Sequence, residues 1–409
     1  MSLYRYQEDG VDFLLAQRRR YLADGMGLGK TVQACVAAAR TDARRVLVVA
    51  PASTLPNWYH EWGEWGSDAQ FAAASYNKLV AKPHHFIGGD WDLVILDEAH
   101  YAKSRESQRT RASLTLARQA PRAWLLSGTP APNGPHELWS PIKALWPGIP
   151  RALGISTYIE WLNTFCHWSM GDYGPKVWGG KNGRLLRPYL NRIMLRRQLA
   201  DVGIELPPLR IDVSLLPHDT QLDAALIDAG IDPALVHNEM HWAEVDGKTS
   251  TVRRVLGTLK AARIARILDD ELRHQQYPKI VVLAHHRDTM KLVGDILRPH
   301  GVVGFDGRTP KKARQEAIER FRYEHDVRVF LAQQNAAGTG VDGLQVASEM
   351  ALLEPSFNPD ENAQYIKRIH RIGSEHPCRA RMFAVRGTLD EGIMRVNARK
   401  TKAKMEFGL

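Results

Sequence analysis

Short apolar segments that end in loops of functional residue types dominate the first third of the chain. Four of them occupy residues 20–23, 46–49, 93–96 and 123–126. The stretches between them are long enough for crossover helices, which is the pattern of a buried parallel sheet. Ligands of such sheets bind beyond the carboxyl ends of the strands. The pattern therefore predicts an α/β lobe with a ligand site formed by the loops that follow these segments.

A second series of the same kind begins near residue 251. Its five apolar segments lie at residues 279–283, 302–305, 327–331, 350–353 and 381–385. A chain of 409 residues is long enough for two or three domains of about 150 residues each. We therefore predict an α/β protein of two lobes with parallel sheets, divided into an N-terminal lobe (1–145), a helical insertion and linker (146–250), and a C-terminal lobe (251–409) that ends in a basic helix.

Composition restricts the class of partner and compartment. The 55 Lys and Arg residues exceed the 45 Asp and Glu residues by 10, which is enough to attract a polyanion, although a solvated basic surface without a partner explains the charge equally well. The three cysteines, Cys35, Cys166 and Cys378, are too far apart for a structural zinc site. We expect free thiols in a reducing compartment. No apolar stretch reaches the roughly 18 residues of a membrane span, so we expect a soluble intracellular protein without a membrane partner.

A glycine-rich segment at residues 24–31 follows the first apolar segment and should open a helix. Such a turn lets backbone N–H groups surround phosphates, while Lys30 supplies charge to the outer phosphates and Thr31 offers a hydroxyl to Mg²⁺. The strict pattern of a phosphate-binding loop has glycine where Asp24 stands, so the match is partial. The predicted nucleotide-binding residues are Asp24, Gly25, Met26, Gly27, Leu28, Gly29, Lys30 and Thr31.

Two adjacent carboxylates follow the most apolar segment. We assign Asp97 to the metal ion and Glu98 to the orientation of the attacking water, the two roles that phosphoryl transfer still requires. A lone Asp-Glu pair is as well explained by a solvated acidic turn, but that explanation is poor when a phosphate-binding loop precedes the pair. The two motifs together predict hydrolysis of a nucleoside triphosphate.

Two arginines in the second lobe have the spacing of neighbours on one helical face, at Arg368 and Arg371. Arginines that come from a second lobe can neutralise the charge that develops on a γ-phosphate. Taken alone, such a segment is more often a solvated basic face. We predict the catalytic role because the phosphate loop and the acidic pair accompany it.

The order of these motifs resembles that of Swi/Snf-type ATPases of helicase superfamily two, in its DEAH-box branch. The first-lobe segments that carry the resemblance are residues 6–11, 24–31, 49–58, 97–104 and 126–133, and those of the second lobe are residues 305–308, 336–342, 358–359 and 364–373. Within that family the chain is most similar to the compact annealing-helicase type. The resemblance implies two RecA-like lobes with ATP in the cleft between them.

The resemblance also implies roles for further residues. Gln7 would contact the adenine and so select ATP, with Mg²⁺ as cofactor; the alternative is that Gln7 is an ordinary surface residue without this role. Gly340 and Asp342 would approach the nucleotide from the second lobe. Ser127, Thr129 and Gln364 would couple nucleotide state to lobe movement. The residues that would face the nucleic-acid backbone are Pro51, Ser53, Tyr76, Gly307, Arg308 and Thr339.

The predicted function is an ATP-dependent translocase that moves on double-stranded or branched DNA and supports strand annealing, branch migration or fork remodelling. Ser374, Glu354 and the pair Lys103 and Ser104 depart from the usual family residues, which leaves the catalytic groups intact and blurs only the subfamily. We expect a monomeric motor in the cytoplasm of a bacterium or a virus-infected bacterium, with unknown protein partners. Two alternatives remain: an ATP-dependent switch that needs no turnover, and an RNA-directed helicase.

Tryptophans and basic residues alternate in the segment predicted to be an insertion. Trp161, Trp168 and Trp178, near Arg184 and Arg187, could stack on bases at a DNA fork. Simple packing of the aromatic rings within a protrusion is the commoner explanation. The sequence leaves both possibilities open.

Overall fold

The computed structural model describes residues 2–171, 174–218, 220–233, 249–337 and 341–407. The chain divides into two compact units, one made of Met1–Glu205 with Arg399–Leu409 and the other of Leu206–Ala398. In this division the segment at residues 146–250 does not form a unit of its own, because its first 60 residues join the first unit and the remainder joins the second.

The first unit is built on a six-stranded sheet in which all pairs are parallel. Its strand order is β3-β2-β4-β5-β1-β8. The strands are β1 (Arg19–Leu22), β2 (Arg45–Ala50), β3 (Gln70–Ser75), β4 (Leu93–Asp97), β5 (Arg122–Leu126) and β8 (Met194–Leu195). The first four predicted segments therefore form β1, β2, β4 and β5, and β5 separates the strand of the glycine-rich loop from the strand of the acidic pair.

Helices cover both faces of this sheet, which explains why its strands are continuous apolar runs rather than alternating ones. In β2, Leu47 and Val49 join one buried cluster while Val46 and Val48 join the other. The helices of this unit are α1 (Arg5–Leu15), α2 (Lys30–Ala39), α3 (Leu55–Trp65), α4 (Tyr76–Ala81), α5 (Gln108–Gln119), α6 (Trp139–Leu145), α7 (Gly148–Ala152), α8 (Tyr158–Phe165) and α9 (Gly183–Ile193).

The predicted helical insertion contains α7, α8 and α9 and also an antiparallel hairpin that the sequence analysis did not predict. The hairpin consists of β6 (Cys166–Gly171) and β7 (Gly174–Gly180). A shift in the pairing register beside His167 and Trp168 leaves an extra residue on β7. Apolar side chains at alternate positions of β6, Cys166, Trp168 and Met170, are the period-two signal of this strand.

The second unit has its own six-stranded parallel sheet, with the order β11-β12-β10-β13-β14-β9. Its strands are β9 (Leu209–Leu216), β10 (Ile280–Ala284), β11 (Val302–Phe305), β12 (Val329–Gln333), β13 (Glu349–Leu352) and β14 (Cys378–Val385). Its helices are α10 (Thr220–Asp228), α11 (Thr249–Arg273), α12 (Arg287–Leu297), α13 (Lys311–Tyr323), α14 (Gln334–Ala337), α15 (Pro359–Ile366) and α16 (Leu389–Phe407). The two parallel sheets confirm the predicted fold class, while β9 forms from a segment that was predicted to be linker.

The last helix, α16, occupies the place of the predicted basic helix. Its residues up to Ala398 belong to the second unit, and those from Arg399 belong to the first. Phe407 is buried in the first unit, where its ring lies 6.3 Å from that of Phe165, and Lys400 Nζ donates to Asn133 Oδ1 at 3.0 Å. None of the helices in the described ranges is both long and apolar enough to span a bilayer.

Candidate nucleotide-binding site and nucleic-acid surface

The glycine-rich loop joins β1 to α2 and has the geometry of a phosphate-binding loop. Gly27 has φ +87 and Gly29 has φ +70, a region that side chains with a Cβ rarely adopt. A Cβ at Gly29 would also lie 2.5 Å from Nε2 of Gln7. Because Gly29 is the residue immediately before α2, the loop presents backbone N–H groups at a helix N-terminus, where an anion is favoured.

Lys30 lies at the start of α2 with its ammonium turned toward the loop. Its Nζ donates to the carbonyl oxygen of Asp24 at 2.7 Å and to that of Gly25 at 3.0 Å. Its positive charge favours the ionised forms of both Asp97 and Glu98, so the lysine lies within electrostatic reach of the acidic pair. The structure thus brings the predicted phosphate and metal residues together within one unit.

Asp24, which stands where the strict pattern has glycine, anchors a buried network. Its carboxylate is fully buried and accepts two hydrogen bonds from Arg197, from Nε at 3.0 Å and from Nη2 at 2.6 Å. Arg197 Nη1 also donates to the carbonyl of Tyr6 at 2.5 Å, and its Nη2 donates to Gln33 Oε1 at 3.2 Å. Gln33 in turn donates to the carbonyl of Leu28 at 2.8 Å. One guanidinium therefore ties the start of α1, the start of the loop and helix α2 to one another.

Sequence reasoning missed Arg197, which belongs to no motif that the analysis used. It reaches the loop because β8 pairs with β1, with Met194 opposite Tyr21 and Leu195 opposite Leu22. The only signal in the sequence is the departure at Asp24, since a carboxylate at a buried loop position requires a cationic partner.

Gln7 is buried beside the loop rather than exposed at the surface. It is 8% exposed, and its Oε1 accepts a hydrogen bond from the backbone N–H of Tyr4 at 3.0 Å. Its amide nitrogen is the group that a Cβ at Gly29 would meet. This placement puts an amide donor next to the N-terminus of α2, where it is available to a bound nucleotide.

The acidic pair lies at the end of β4, with Asp97 as the last residue of the strand and Glu98 directly after it. The two carboxyl groups have different environments. Burial and the neighbouring charge of Glu98 raise the pKa of Asp97 to about 6, although Trp58 Nε1 donates to its Oδ2 at 2.8 Å. Burial also acts to raise the pKa of Glu98, but the hydrogen bond and charge of His100 outweigh it and hold that pKa below its usual value. Glu98 has φ 49, a conformation that non-glycine residues adopt chiefly where function demands it.

A serine links the acidic pair to the loop after β5. Ser127 is fully buried, its Oγ donates to Glu98 Oε2 at 3.3 Å, and it lies 2.9 Å from His100 Nδ1. The backbone N–H of Thr129 donates to the same Oγ at 3.1 Å. A Cβ at Gly128 would lie 3.3 Å from Met26 and 3.6 Å from Lys30 Nζ, so this loop also packs against the phosphate loop.

The residues fit a magnesium ion held jointly by protein and nucleotide. Mg²⁺ uses one or two carboxylates together with substrate phosphates and water, rather than a cage made entirely of protein. Asp97 supplies such a carboxylate and Thr31 a hydroxyl one residue beyond Lys30, whereas the described residues include no group of three or more metal-binding side chains. A bound cation would favour the ionised form of Asp97, which burial disfavours.

In the second unit, both predicted arginines lie near Asp342. Arg371 forms an ion pair with its carboxylate, and Arg368 Nη1 donates to the carbonyl of Val341 at 3.2 Å and lies 4.0 Å from Asp342 Oδ1. The prediction that the arginines share a helical face is wrong, because α15 ends at Ile366. The N–H groups of Arg368 and Ile369 bond three residues back, to Tyr365 and Ile366, so the chain has already left the α-helix.

The structure describes only some of the other residues that were predicted to be functional in the second unit. Gln364 lies on α15, and Gly307 and Arg308 lie exposed in the turn after β11. Arg308 extends into solvent with 73% of its side chain exposed and a weak contact to Asp306 at 3.4 Å. Thr339 and Gly340, predicted to bind nucleic acid and nucleotide, lie outside the described residues.

The predicted nucleic-acid residues of the first unit do not form one exposed surface. Ser53 is exposed, whereas Pro51 is buried. Tyr76 is 2% exposed, and its hydroxyl donates to the backbone carbonyl of Asp97 at 2.8 Å. The assignment of Tyr76 to the DNA backbone therefore disagrees with the structure, since its ring is part of the core and its hydroxyl supports the acidic strand.

Comparison with known families agrees with this geometry. A family model described as the SNF2-related domain matches residues 6–77 and 67–221, which is more than half of the chain. The chain belongs to the SNF2-related family. A second model, the helicase conserved C-terminal domain, matches residues 260–373, so the two matched regions together span both units and nearly all of the predicted motifs.

Individual relatives support the same family. The mouse DNA annealing helicase and endonuclease ZRANB3 is 27% identical over 98% of this chain and 40% of its own length. The Xenopus tropicalis SWI/SNF-related matrix-associated actin-dependent regulator of chromatin subfamily A-like protein 1 is 28% identical over all of this chain and 45% of its own length. The chain thus spans less than half the length of these curated relatives. Both relatives are eukaryotic, so the predicted bacterial or viral source has no support from them.

A solved structure covers the chain from end to end. The Sulfolobus solfataricus SWI2/SNF2 ATPase core in complex with double-stranded DNA is 20% identical to this chain, with a TM-score of 0.45, and the match covers 99% of this chain and 92% of that one.

Proposed function

We propose that this chain binds ATP with Mg²⁺, hydrolyses it, and uses the cycle to move along double-stranded or branched DNA. The observation that carries the proposal is the juxtaposition of a phosphate-binding loop with an acidic pair in which one carboxylate is held ionised. Lys30 reaches both carboxylates electrostatically, and Glu98 accepts from Ser127 and His100. A binding module without turnover has no need of that second carboxylate.

Each residue of the first unit has a chemical task in this proposal. The loop amides between Gly25 and Gly29 and the ammonium of Lys30 bind the phosphates, and Gln7 contacts the adenine. Thr31 and Asp97 would hold Mg²⁺, which would neutralise negative charge on the phosphates. Glu98 is ionised at neutral pH, since its pKa stays below the usual value despite burial, and it would accept a hydrogen bond from the attacking water and orient it toward the γ-phosphorus.

The arginines of the second unit complete the chemistry in this proposal. As the γ-phosphoryl group transfers, negative charge spreads over its oxygens, and a guanidinium that reaches them stabilises the transition state. Arg368 and Arg371 are the candidates, and Asp342 is the carboxylate against which Arg371 rests. In the catalytic state Arg371 would exchange that partner for the nucleotide.

Several observations support DNA as the polymer. The net charge of +10 favours a polyanion, and Arg308 extends from an exposed turn in the second unit. One relative is named as a DNA annealing helicase, and the solved SWI2/SNF2 core was determined with double-stranded DNA. We propose that the movement supports strand annealing, branch migration or fork remodelling. We also propose that one copy of the chain acts as a monomer.

ATP hydrolysis by the whole chain, alone and with single-stranded, duplex or forked DNA or with RNA at one fixed salt concentration, tests the proposal. We expect duplex or fork to stimulate hydrolysis more strongly than RNA does. Glu98→Gln should lose hydrolysis and retain ATP binding, while Arg308→Ala should retain hydrolysis without DNA and lose part of the stimulation. Turnover that persists undiminished in Glu98→Gln, or that no polymer stimulates, contradicts the proposed motor, and stronger stimulation by RNA favours the RNA-directed alternative.

A further inference from the structure

The three tryptophans that the sequence analysis considered for base stacking have different environments. Trp161 is fully buried, and its Nε1 donates to the carbonyl of Pro135 at 3.0 Å. Trp168 is partly buried against the core of the first unit, and its Nε1 donates to Asn163 Oδ1 at 3.1 Å. Trp178 is 51% exposed and makes no ring contact or side-chain hydrogen bond with any described residue. Packing therefore explains Trp161 and Trp168 and leaves Trp178 unexplained.

The hairpin holds Trp178 out of the core by means of a bulge. Trp168 pairs with Val177, and His167 pairs with Gly179, so Trp178 is the extra residue on β7. Trp168 and Val177 both pack against the core of the first unit. A bulge increases the local twist and redirects the side chain that it carries, and bulges are enriched near functional sites. The indole is thus displayed by a specific backbone irregularity on an otherwise anchored hairpin.

The segment of sequence that carries Trp178 is rich in basic residues. Between residues 166 and 197 the chain contains a single acidic residue, Asp172, and seven basic ones, Lys176, Lys181, Arg184, Arg187, Arg192, Arg196 and Arg197. Arg197 is committed to Asp24. In the described part of the chain, Lys181 and the arginines at positions 184, 187 and 192 form no ion pair with an acidic side chain.

Helix α9 displays these arginines on the side opposite its buried stripe. Leu186, Leu190 and Ile193 are buried, whereas Arg184 and Arg187 are exposed. Only two residues separate the end of β7 from the start of α9. Six residues of chain join Trp178 to Arg184, which limits their separation to about 20 Å at 3.3–3.6 Å per residue.

An exposed indole and exposed guanidinium groups that are joined by only six residues of chain have the chemistry of a site for single-stranded nucleic acid. A duplex presents phosphates outward and stacks its bases inward, so it offers charge partners for the arginines and no ring face for Trp178. An unpaired strand offers both phosphates and base faces, and stacking tolerates any base sequence. A protein partner would not require this excess of basic side chains, of which those at positions 181, 184, 187 and 192 have no acidic partner among the described residues.

We propose that Trp178 stacks on an unpaired base of single-stranded DNA whose phosphates contact the exposed arginines of α9. This surface, Trp178 with Arg184 and Arg187, lies outside all the motor motifs described above. It adds to the proposed motor a contact that distinguishes a branch or gap from continuous duplex. The contact is separate from ATP chemistry, because none of the three residues belongs to the nucleotide site.

The experiment measures binding of a fluorescent single-stranded oligonucleotide and of a duplex by the whole chain, using anisotropy. Loss of a stacked aromatic ring weakens binding by about 5- to 150-fold per base, so we expect Trp178→Ala to weaken single-strand binding in that range and to leave duplex binding within about twofold. Trp178→Phe retains a ring and should recover most of the affinity. Tyr59→Ala is the matched control, because Tyr59 is an aromatic residue of the same unit with 54% exposure and lies outside the basic segment.

Salt dependence tests the arginines separately. Each phosphate contact to a single strand contributes about 0.7 to the slope of log affinity against log salt. Arg184→Ala with Arg187→Ala should therefore reduce that slope by about 1.4 for the single strand. Unchanged single-strand binding in Trp178→Ala, or an equal loss for single strand and duplex, overturns the stacking proposal.

The outcomes also separate this proposal from the motor. Duplex-stimulated ATP hydrolysis should be unchanged in Trp178→Ala if the motor proposal is right, whatever the single-strand result. If Trp178→Ala lowers the melting temperature, Trp178→Phe decides: recovered affinity supports stacking, and affinity that stays lost despite recovered stability overturns it. If both variants bind single-stranded DNA as tightly as wild type does, the stacking proposal is overturned and a protein partner becomes the explanation for the exposed indole.

Discussion

Removing the guanidinium of Arg197 tests how the first unit holds its phosphate loop. Arg197→Met preserves the length and much of the volume of the side chain. It removes the two hydrogen bonds, of 3.0 and 2.6 Å, that Arg197 donates to the fully buried carboxylate of Asp24, and leaves that carboxylate with a longer one from Gln33 Nε2 at 3.3 Å. Loss of one partner of a buried ion pair costs about 3–5 kcal/mol, because the other charge stays buried and unpaired. At about 2–4 °C per kcal/mol for a unit of this size, the melting temperature of the first unit should fall by about 10 °C.

The same substitution should weaken ATP binding. Arg197 also holds the carbonyl of Tyr6 and the side chain of Gln33, so its loss frees the start of α1 and the first residues of the loop together. We expect the KM for ATP to rise about tenfold, which corresponds to 1.4 kcal/mol, with a smaller effect on kcat because Glu98 and Lys30 are unchanged. Tryptophan fluorescence during thermal unfolding and steady-state ATP hydrolysis measure the two effects on the whole chain.

A double variant provides the control. Asp24→Gly restores the residue of the strict loop pattern and removes the buried charge, so Asp24→Gly with Arg197→Met should be more stable than Arg197→Met alone. The reasoning fails if Arg197→Met costs less than about 1 kcal/mol, or if the double variant is no more stable than the single one.

Three further substitutions test other parts of the structure. Ser127→Ala removes a hydrogen bond that lowers the pKa of Glu98, so the acid limb of the kcat profile should move to higher pH while the KM for ATP stays nearly constant; an unmoved limb contradicts the link. Asp97→Asn should abolish hydrolysis yet stabilise the metal-free chain at pH 7.5, because the fold raises the pKa of Asp97 to about 6 and so disfavours its ionised form. This stabilising difference should shrink as the pH falls through about 6, since the wild-type carboxylate then binds a proton. A difference in stability that does not change with pH contradicts this reasoning. Phe407→Ala should destabilise the first unit by about 3–5 kcal/mol in urea unfolding, whereas Met405→Ala, at a position that is 71% exposed in the same helix, should have almost no effect.

Local patterns made much of the site predictable. The need for glycine at positions 27 and 29 arises from backbone angles within one loop, so the motif that encodes them is short and recognisable. Asp97 and Glu98 end a strand that is apolar at every preceding position, which a single sequence also displays. Both features depend on residues that are neighbours in the chain.

Features that depend on distant pairing were not predictable. Arg197 and Asp24 are 173 positions apart, and only the two-residue strand β8 brings them together. Tyr76 was assigned to DNA because the family resemblance implied that role, whereas packing against the acidic strand decides its burial. In the hairpin that carries Trp178, β7 begins and ends with glycine, and β6 has only three alternating apolar positions. This signal is too weak to separate the hairpin from a helical insertion.

The strand order explains why these scattered residues act on one site. Because β5 lies between β1 and β4, the Ser127 loop touches Met26 and Lys30 on one side and Glu98 on the other, so a change at the phosphates or at the attacking water reaches the same serine. On the far side of β1, β8 brings Arg197 to the loop, and the chain enters the second unit at Leu206, nine residues later. Besides Gln7 of α1, the phosphate loop therefore has two neighbours through which its movement would pass on, the Ser127 loop and the segment that continues into the second unit, and we expect a mechanical output of ATP hydrolysis to begin there.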